Sequence, residues 1–387
     1  VLATGGIKNG VVQGNLILSG GCDPTTDTRA LAALAGQLKE AGIREVRGSF
    51  LVDEGPVISV RSIDPDQPDH VGYNPAVAGI ALNFNRVHFE WKRAGDKYAV
   101  TMDARAGNYR PDVTISQMKV EPRRAPIYTY EEGSGRDIWT VAKGALGRAG
   151  ARWLPVRHPG LYAGEVFATL ARSNGIVLRA PKLATQAANG AVVTQIESDP
   201  LRDILRGMLK HSNNLTAEMV GLAATHARAG KVGSLAASAA EMNRWAVQEL
   251  GMQRPGFVDH SGLGDRSRIS PADMVRGLNA KGRSAMLRPL LKPVKLLNSK
   301  GQPINNHPVK AEAKTGTLNF VSGLGGYITA PDGREMVFAI FTADAEKRAS
   351  IPREARERPP GAKTWATRSR RLQRKLIMRW GQVFEGS

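Results

Sequence analysis

The spacing of apolar residues changes near residue 160, and this change restricts the fold more than any other feature of the sequence. Before it, short strand-like runs such as residues 86–91 and 98–102 alternate with loops rich in Pro and Asp. After it, apolar residues recur at helical spacing, and a pair of strand-like runs follows at residues 309–315 and 321–329. Helices followed by antiparallel strands, with β-rich material before them, predict an α/β (α+β) domain preceded by a β-rich module.

Single elements are predicted from their apolar faces and from their start and stop residues. Near the N-terminus the pattern predicts a β-meander over residues 1–24, a helix over 28–41 stopped by Gly42, and a strand over 46–52. Later helices are predicted over residues 163–174, 200–210, 215–229, 236–250 and 271–279, and a last strand over 334–342. With 387 residues, the chain is long enough for two or three domains.

The chain is strongly basic. It carries 54 Lys and Arg against 35 Asp and Glu, a net charge of +19, which is compatible with nucleic acid, an anionic envelope polymer or a merely basic surface. Around the densest cluster, residues 368–375, the apolar residues at helical spacing are Leu372, Leu376, Ile377 and Trp380. The cluster therefore predicts the solvated face of a packed terminal helix. No aromatic-rich motif accompanies it, so no nucleic-acid partner is predicted.

Other sequence features exclude further classes. The single Cys22 excludes an internal disulfide and any multi-cysteine metal site. No apolar run reaches the roughly 18 residues that would span a bilayer, so no transmembrane segment is predicted. The chain begins at Val1 without a charged and apolar leader, which we interpret as a fragment or a processed form.

Three short polar elements in the C-terminal half have residue types suited to acyl transfer. They are the segment 210–215 (KHSNNL) between two helices, the turn 258–264 (VDHSGLG), and the strand residues 314–317 (KTGT). Acyl transfer on a peptide with a free carboxylate needs a cation for the carboxylate, hydroxyls that pass protons, and an amide that holds the peptide backbone. A strand edge adds main-chain pairing and one N–H of an oxyanion hole.

These elements resemble the penicilloyl-serine transferases, in which an S-x-N loop and a K-T-G strand face a serine from S-x-x-K. Further stretches are similar to the D-Ala-D-Ala carboxypeptidase/endopeptidase family, peptidase S13, the class C low-molecular-mass penicillin-binding proteins. They are 14–25 (GNLILSGGCDPT), 81–85 (ALNFN), 212–218 (SNNLTAE) and 259–263 (DHSGL). Cys22 stands where that signature commonly has Gly or Ala.

The resemblance implies a penicillin-recognising, β-lactamase-like α/β domain with inserted β-rich accessory domains. Residues 1–178 would be the accessory part, and residues 179–387 the catalytic domain without its N-terminal S-x-x-K segment. The implied protein is a periplasmic serine-type D-Ala-D-Ala carboxypeptidase, a hydrolase that cleaves peptidoglycan stem peptides or cross-links through an acyl-serine. The implied partners are peptidoglycan peptides, with β-lactams as inhibitors, and neither a cofactor nor a metal is implied.

The resemblance also implies roles for individual residues. Ser212 would relay protons, and Asn214 would bind the substrate backbone and the active-site lysine. Lys314 would attract the terminal carboxylate, Thr315 and Thr317 would offer hydroxyls, and Gly316 would allow close approach of the substrate. The N–H of Thr317 would line the oxyanion hole. The alternative for Ser212 is a helix N-cap, because Ser-Asn-Asn before an apolar helix is also a capping sequence.

The nucleophile of the family is missing from the sequence. The single S-x-x-K string, Ser116 to Lys119, follows a strand-like run, and residues three apart on a strand point to opposite faces. Lysine can activate serine when both lie on one helix face, so we reject Ser116 as the nucleophile. We expect the family's serine upstream of Val1 and predict that the 387-residue chain forms no acyl-enzyme.

Two other functions remain open: a non-catalytic peptidoglycan-binding or scaffold homologue, and a basic nucleic-acid binder with salt-sensitive affinity. The acidic stretch with Asp64, Asp66, Asp69 and His70 lacks regular ligand spacing and is interpreted as a solvated loop rather than a metal site. His211 and His260 lie beside motif residues and are interpreted as polar residues at the edge of the active-site cleft.

Overall fold

A computed structural model describes residues 1–280 and 282–384. Its strands are β1 (Leu2–Ala3), β2 (Ile7–Lys8), β3 (Val11–Val12), β4 (Leu16–Ser19), β5 (Glu45–Val46), β6 (Phe50–Asp53), β7 (Arg86–Ala94), β8 (Lys97–Asp103), β9 (Ser116–Glu121), β10 (Tyr128–Gly133), β11 (Arg136–Ala142), β12 (Ala149–Pro155), β13 (Lys182–Leu183), β14 (Ala191–Val192), β15 (Lys292–Pro293), β16 (Lys310–Leu318), β17 (Val321–Thr329) and β18 (Glu335–Ala343). Its helices are α1 (Thr28–Glu40), α2 (Pro159–Ser173), α3 (Leu201–His211), α4 (Asn214–Ala229), α5 (Leu235–Leu250), α6 (Pro271–Asn279), α7 (Arg283–Leu287), α8 (Ala345–Ala349) and α9 (Ala362–Val383).

The chain divides into two compact units. Unit 1 consists of Val1–Pro65, Asp69–Asp199 and Asn214–Leu235, and unit 2 consists of Asp66–Pro68, Pro200–Asn213 and the chain from Ala236 onward. The predicted division at residue 178, into accessory and catalytic parts, stays a prediction. Within the part of the chain that the structure describes, no helix is long and apolar enough to cross a membrane.

Unit 1 is built from small sheets and the helices α1, α2 and α4, and α1 and α2 contribute to its main apolar core. Its sheets have the strand orders β13-β6-β4-β1-β14, β10-β11-β9, β12-β7-β8 and β2-β3-β5. Helix α1 begins where the Asp27 side chain accepts the N–H groups of Arg29 and Ala30, and it ends before Gly42, as predicted. Leu31, Leu34, Ala35 and Leu38 face the core, so the predicted apolar face is confirmed.

Two stretches of unit 1 that resemble the family contain residues with a left-handed backbone. Asn83, Phe84 and Asn85 have φ of 52°, 58° and 50°, and both asparagines are buried. Asn83 Nδ2 donates to Thr28 Oγ1 at 2.9 Å, and Asn85 Nδ2 donates to Ala76 O at 2.9 Å. Asn tolerates this backbone region better than most residues, and its amide satisfies the buried turn. Cys22 also has a positive φ, 64°, which explains why glycine suits that position.

The Ser116 to Lys119 string lies in β9, as predicted, and pairs in parallel with β11. The Ser116 side chain is fully buried, at 0% exposure. The strand interpretation is therefore confirmed, and the serine hydroxyl has no access to solvent.

The loop around Asp64 differs from the solvated loop that the sequence predicted. Asp64 is buried, and its backbone N–H and C=O bond to the Asn74 side chain at 2.9 and 2.7 Å. The guanidinium of buried Arg157 donates to the carbonyl oxygens of Arg61, Asn74 and Asp69 at 2.6–3.0 Å. The prediction was wrong for Asp64, because loop carbonyls fold over a buried cation that the local sequence does not reveal; Asp66 is exposed, as predicted. In the described ranges, no group of three or more His, Cys, Asp and Glu is placed to hold a metal ion.

Unit 2 contains the antiparallel sheet β15-β16-β17-β18. Helix α6 packs on one face, where the Tyr327 hydroxyl donates to Leu278 O at 2.8 Å. Helix α9 packs on the other face, where Gln373 Nε2 donates to Ser322 Oγ at 3.0 Å. Because side chains alternate along a strand and paired residues share a face, Lys314 and Gly316 lie on the face of α6.

The basic segment near the C-terminus forms the solvated face of α9, as predicted. Arg368, Arg371, Lys375 and Arg379 are exposed, while Ile377 is fully buried and Leu376 and Trp380 pack against the core of unit 2. One residue was assigned to the wrong face: Leu372 is 47% exposed, and Gln373 is buried instead. The bond from Gln373 to Ser322 explains the exchange, because it satisfies a polar side chain inside the packed face.

Candidate active site

Ser212 occupies the C-terminal cap of α3. Its backbone is left-handed, with φ 52° and ψ 51°, and its N–H donates to Met208 O. The alternative of an N-cap is therefore wrong, since the serine ends α3 and α4 begins at Asn214. A non-glycine residue in this region costs about 1–2 kcal/mol, and such residues concentrate at functional sites.

Ser212 and Lys314 are brought together within unit 2, although 102 positions separate them in sequence. Lys314 Nζ donates to Ser212 Oγ at 2.6 Å and to the carbonyl oxygen of Thr315 at 2.5 Å. The cap of α3 thus presents the serine hydroxyl to the strand that carries the lysine. The serine oxygen accepts from a cation, so its own proton remains available to a further acceptor.

The charge of Lys314 has no carboxylate partner among the described residues. The side chain is half-buried, and burial lowers the pKa of its ammonium; repulsion from Lys292 lowers it further. Lys292 lies on β15, next to Ala313 of β16, and sequence reasoning missed it because no motif marks it. Lys292 also forms no ion pair within the described part of the chain, and two such lysines create a positive potential that favours an anionic ligand.

The edge of β16 is open beyond Ala313. Strand β15 pairs only with Glu312 and Ala313, and within the described ranges no strand pairs with the outer edge over residues 314–318. Thr315, Gly316 and Thr317 are exposed there. A Cβ built on Gly316 meets nothing within 4 Å, so the fold itself does not require glycine at this position. This edge is free to pair with an extended peptide.

Asn214 belongs to unit 1 and opens helix α4. Its Nδ2 donates to Tyr73 O at 2.9 Å. The proposed contacts of Asn214 with the substrate and with a lysine stay predictions. Further along the same motif, Glu218 is fully buried.

The segment 259–263 is a turn held by its own carboxylate. Buried Asp259 accepts the N–H groups of Gly262 and Gly264, both at 2.6 Å, and Gly262 has a φ of 74°. His260 was interpreted as an edge residue, but it lies mostly buried against α5. Its Nε2 is 2.7 Å from Ser238 Oγ, and its Nδ1 is 3.4 Å from Met242 Sδ. His211, in contrast, is exposed in the last turn of α3.

Burial lowers the pKa of His260 to about 4. An unfolded histidine has a pKa of about 6.5, so the unfolded state takes up the proton first as the pH falls. The neutral His260 ring therefore stabilises the folded state fully above about pH 6.5, and this stabilisation is lost as the pH falls from about 6.5 to 4. We expect the free energy of unfolding to fall by about 2 kcal/mol from pH 7 to 5 through this residue. Urea unfolding at both pH values should show that the free energy of unfolding falls less in His260→Gln than in the unsubstituted protein. In the exposed control His211→Gln it should fall as much as in the unsubstituted protein. An equal loss in all three proteins would contradict the assignment.

Comparisons with known proteins agree with the motifs. The model of the D-Ala-D-Ala carboxypeptidase 3 (S13) family matches residues 1–358. The D-alanyl-D-alanine carboxypeptidase of Actinomadura sp. (strain R39) is 26% identical over 362 residues, which cover 86% of this chain and 66% of the relative. The D-alanyl-D-alanine carboxypeptidase DacB of Haemophilus influenzae is 24% identical over 365 residues, which cover 88% of this chain and 74% of that relative.

The fold agrees as well. The crystal structure of penicillin binding protein 4 (dacB) from Haemophilus influenzae superposes with a TM-score of 0.73 at 20% identity, covering 97% of this chain and 85% of that one. This likeness confirms the predicted fold class, an α/β penicillin-recognising fold with additional domains. The family match, which extends over most of the sequence, confirms the family predicted from the motifs: the chain belongs to the D-Ala-D-Ala carboxypeptidase 3 (S13) family.

Proposed function

We propose that this chain supplies the substrate-recognising part of a periplasmic serine-type D-Ala-D-Ala carboxypeptidase/endopeptidase that acts on peptidoglycan stem peptides through an acyl-serine. The observation that carries the proposal is the 2.6 Å hydrogen bond from Lys314 Nζ to Ser212 Oγ, beside an unpaired strand edge. The family contributes the substrate class. β-Lactams are proposed as inhibitors, and one support is that the related Haemophilus influenzae protein has been crystallised with a β-lactam.

In the proposed mechanism, the peptide pairs with the edge of β16, and its terminal carboxylate is attracted by Lys314 and Lys292. Because burial and Lys292 both disfavour the Lys314 ammonium, a bound carboxylate would relieve an unfavourable charge. The Ser212 hydroxyl, oriented by Lys314, would pass a proton to the leaving amine. The Thr317 N–H would stabilise the oxyanion, Thr315 would add a hydroxyl contact, and Asn214 would hold the substrate backbone.

The nucleophile would come from a helical S-x-x-K segment that these 387 residues do not contain. Ser116 is unsuitable, because it lies in a strand and is fully buried. The chain by itself would then bind substrate without forming an acyl-enzyme. The rival function, a non-catalytic peptidoglycan-binding homologue, predicts that acylation is absent from the longer protein as well.

Labelling with a fluorescent penicillin tests the proposal. We expect no covalent adduct on the 387-residue chain and rapid labelling of the protein that also contains the helical S-x-x-K segment. In the longer protein, Ser212→Ala should slow labelling roughly 10- to 100-fold, because a charge-assisted hydrogen bond at the proton relay is lost. The matched control is Ser299→Ala, an exposed loop serine that should label normally. Unchanged labelling in Ser212→Ala would contradict its role, and no labelling of the longer protein would favour the rival function.

A further inference from the structure

A cleft of about 610 Å³ lies in unit 1, and every residue that lines it belongs to that unit. It lies between helix α2, the turn that joins β10 to β11, and the segment 178–181. Ile115, Leu161 and Leu178 give its wall an apolar part. Its volume is in the range of sites that hold small molecules or short peptides.

Three arginines from three different elements line this cleft. Arg136 follows the β10–β11 turn, Arg172 lies in the last turn of α2, and Arg179 belongs to the segment after it. All three are exposed, and within residues 1–280 and 282–384 none of their guanidinium groups forms an ion pair with a carboxylate. Other arginines of unit 1 do pair, for example Arg105 with Asp103 at 2.5 Å.

The backbone fixes the starting point of Arg136. Ser134 and Gly135, the two residues of the hairpin turn, have φ of 51° and 74°, and Gly133 pairs with Arg136 across it. Positive φ at both central residues is typical of a type I′ turn, which matches the twist of its strands. The arginine therefore leaves a rigid hairpin rather than a loose loop.

Among the described residues, the carboxylates in the cleft form no ion pair with these arginines. Both oxygens of Glu165 are occupied: Oε1 accepts from the Thr114 N–H at 2.9 Å and from its hydroxyl, and Oε2 accepts from the Ile115 N–H at 2.9 Å. Glu165 thus attaches α2 to the segment before β9. Asp112 is exposed at the rim. The lining carries three cations against two anions, and one of these anions, Glu165, already accepts three hydrogen bonds from Thr114 and Ile115.

We propose that this cleft binds a short peptide that carries several carboxylates, with guanidinium groups on the carboxylates and the apolar wall against aliphatic side chains. Arginine suits this task because its planar fork matches a carboxylate in bidentate geometry. The identification of the peptide as a peptidoglycan stem peptide rests on the proposed function. The apolar wall and the small volume favour a peptide over a polyphosphate chain, which needs an extended basic groove.

Peptide binding tests the site without any catalytic turnover. The probe is a fluorescent pentapeptide L-Ala-D-Glu-L-Lys-D-Ala-D-Ala, titrated by anisotropy into the 387-residue protein that carries Lys314→Ala. This background removes the ammonium group of Lys314 from the strand edge, so the contribution of the cleft is the part of the remaining binding that depends on its arginines. The triple variant Arg136→Gln, Arg172→Gln and Arg179→Gln should weaken binding about 10-fold, as expected when the two carboxylates of the probe lose their partly solvated ion pairs. A probe with amidated carboxyl groups should bind the Lys314→Ala protein about 10-fold more weakly than the unmodified probe does.

The matched control is the triple variant Arg124→Gln, Lys143→Gln and Arg148→Gln, which removes three exposed cations of unit 1 away from the cleft. It should change affinity less than about 2-fold, and thermal unfolding should confirm that both triple variants fold. Equal weakening by both triples would overturn the proposal in favour of non-specific charge attraction. Complete loss of binding in Lys314→Ala would also overturn it. Penicillin labelling of the longer protein should be unaffected by the cleft triple, so a failure of this site is distinguishable from a failure of the proposed function.

Discussion

Replacement of Gly316 by valine is expected to slow penicillin acylation roughly 10²-fold or more in the protein that contains the S-x-x-K segment. A Cβ at this position meets no atom of the described chain within 4 Å, so the fold tolerates it. The isopropyl group would project from the same face as Lys314 and hold an incoming peptide away from the strand edge. We expect the free energy of unfolding to change by less than about 1 kcal/mol.

The acylation rate and the urea unfolding midpoint check the two halves of this prediction separately. Gly147→Val is the matched control, because Gly147 is exposed, has an open Cβ position and lies in unit 1. It should leave both quantities unchanged. Normal acylation of a folded Gly316→Val protein would show that the substrate does not approach this edge.

Replacement of Gly326 by alanine is expected to have the opposite consequence, a loss of about 3 kcal/mol or more in the free energy of unfolding. Gly326 pairs with Ala313, and a Cβ there lies 2.1 Å from Glu312 O and 2.6 Å from Ala313 Cα. Neither is the end of a flexible side chain, so the backbone of β16 has to move just before Lys314. Any loss of activity in this variant would follow from the loss of stability and from the displaced β16 backbone.

The neighbouring residue provides the control. A Cβ on Gly325 meets Met274 Cγ at 3.4 Å and Leu278 Cδ1 at 3.5 Å, which are ordinary contacts with flexible side chains of α6. Gly325→Ala should therefore cost less than about 1 kcal/mol, as is usual for a substitution that the packing tolerates. Urea unfolding of both variants compares them directly. Equal stability of the two would show that β16 and β17 are less closely packed than the structure indicates.

Local sequence predicted those elements whose signals are local. The helix over residues 28–41, the helix over 271–279 and the strand over 321–329 all appear within one residue of their predicted bounds. Each has an apolar pattern and a start or stop signal of its own, such as Gly42 or the Ser270-Pro271 cap. Burial was predicted wrongly where a hydrogen-bond partner outside the local sequence determines it. Gln373 is buried because its amide donates to Ser322, and Asp64 is buried because its backbone bonds to the Asn74 side chain.

The sequence by itself determined the family, the residue types of the site and the absence of a helical S-x-x-K, because these depend on order and spacing along the chain. Only the tertiary structure decided which of those residues meet. It brings Lys314 to 2.6 Å from Ser212 across 102 positions, gives the serine a left-handed cap, and leaves the strand edge open beyond Ala313. It also added Lys292, which no motif marks. The physical reason is that a hydrogen bond, a desolvated charge and a free strand edge each depend on groups far apart in sequence, whose positions are set by packing.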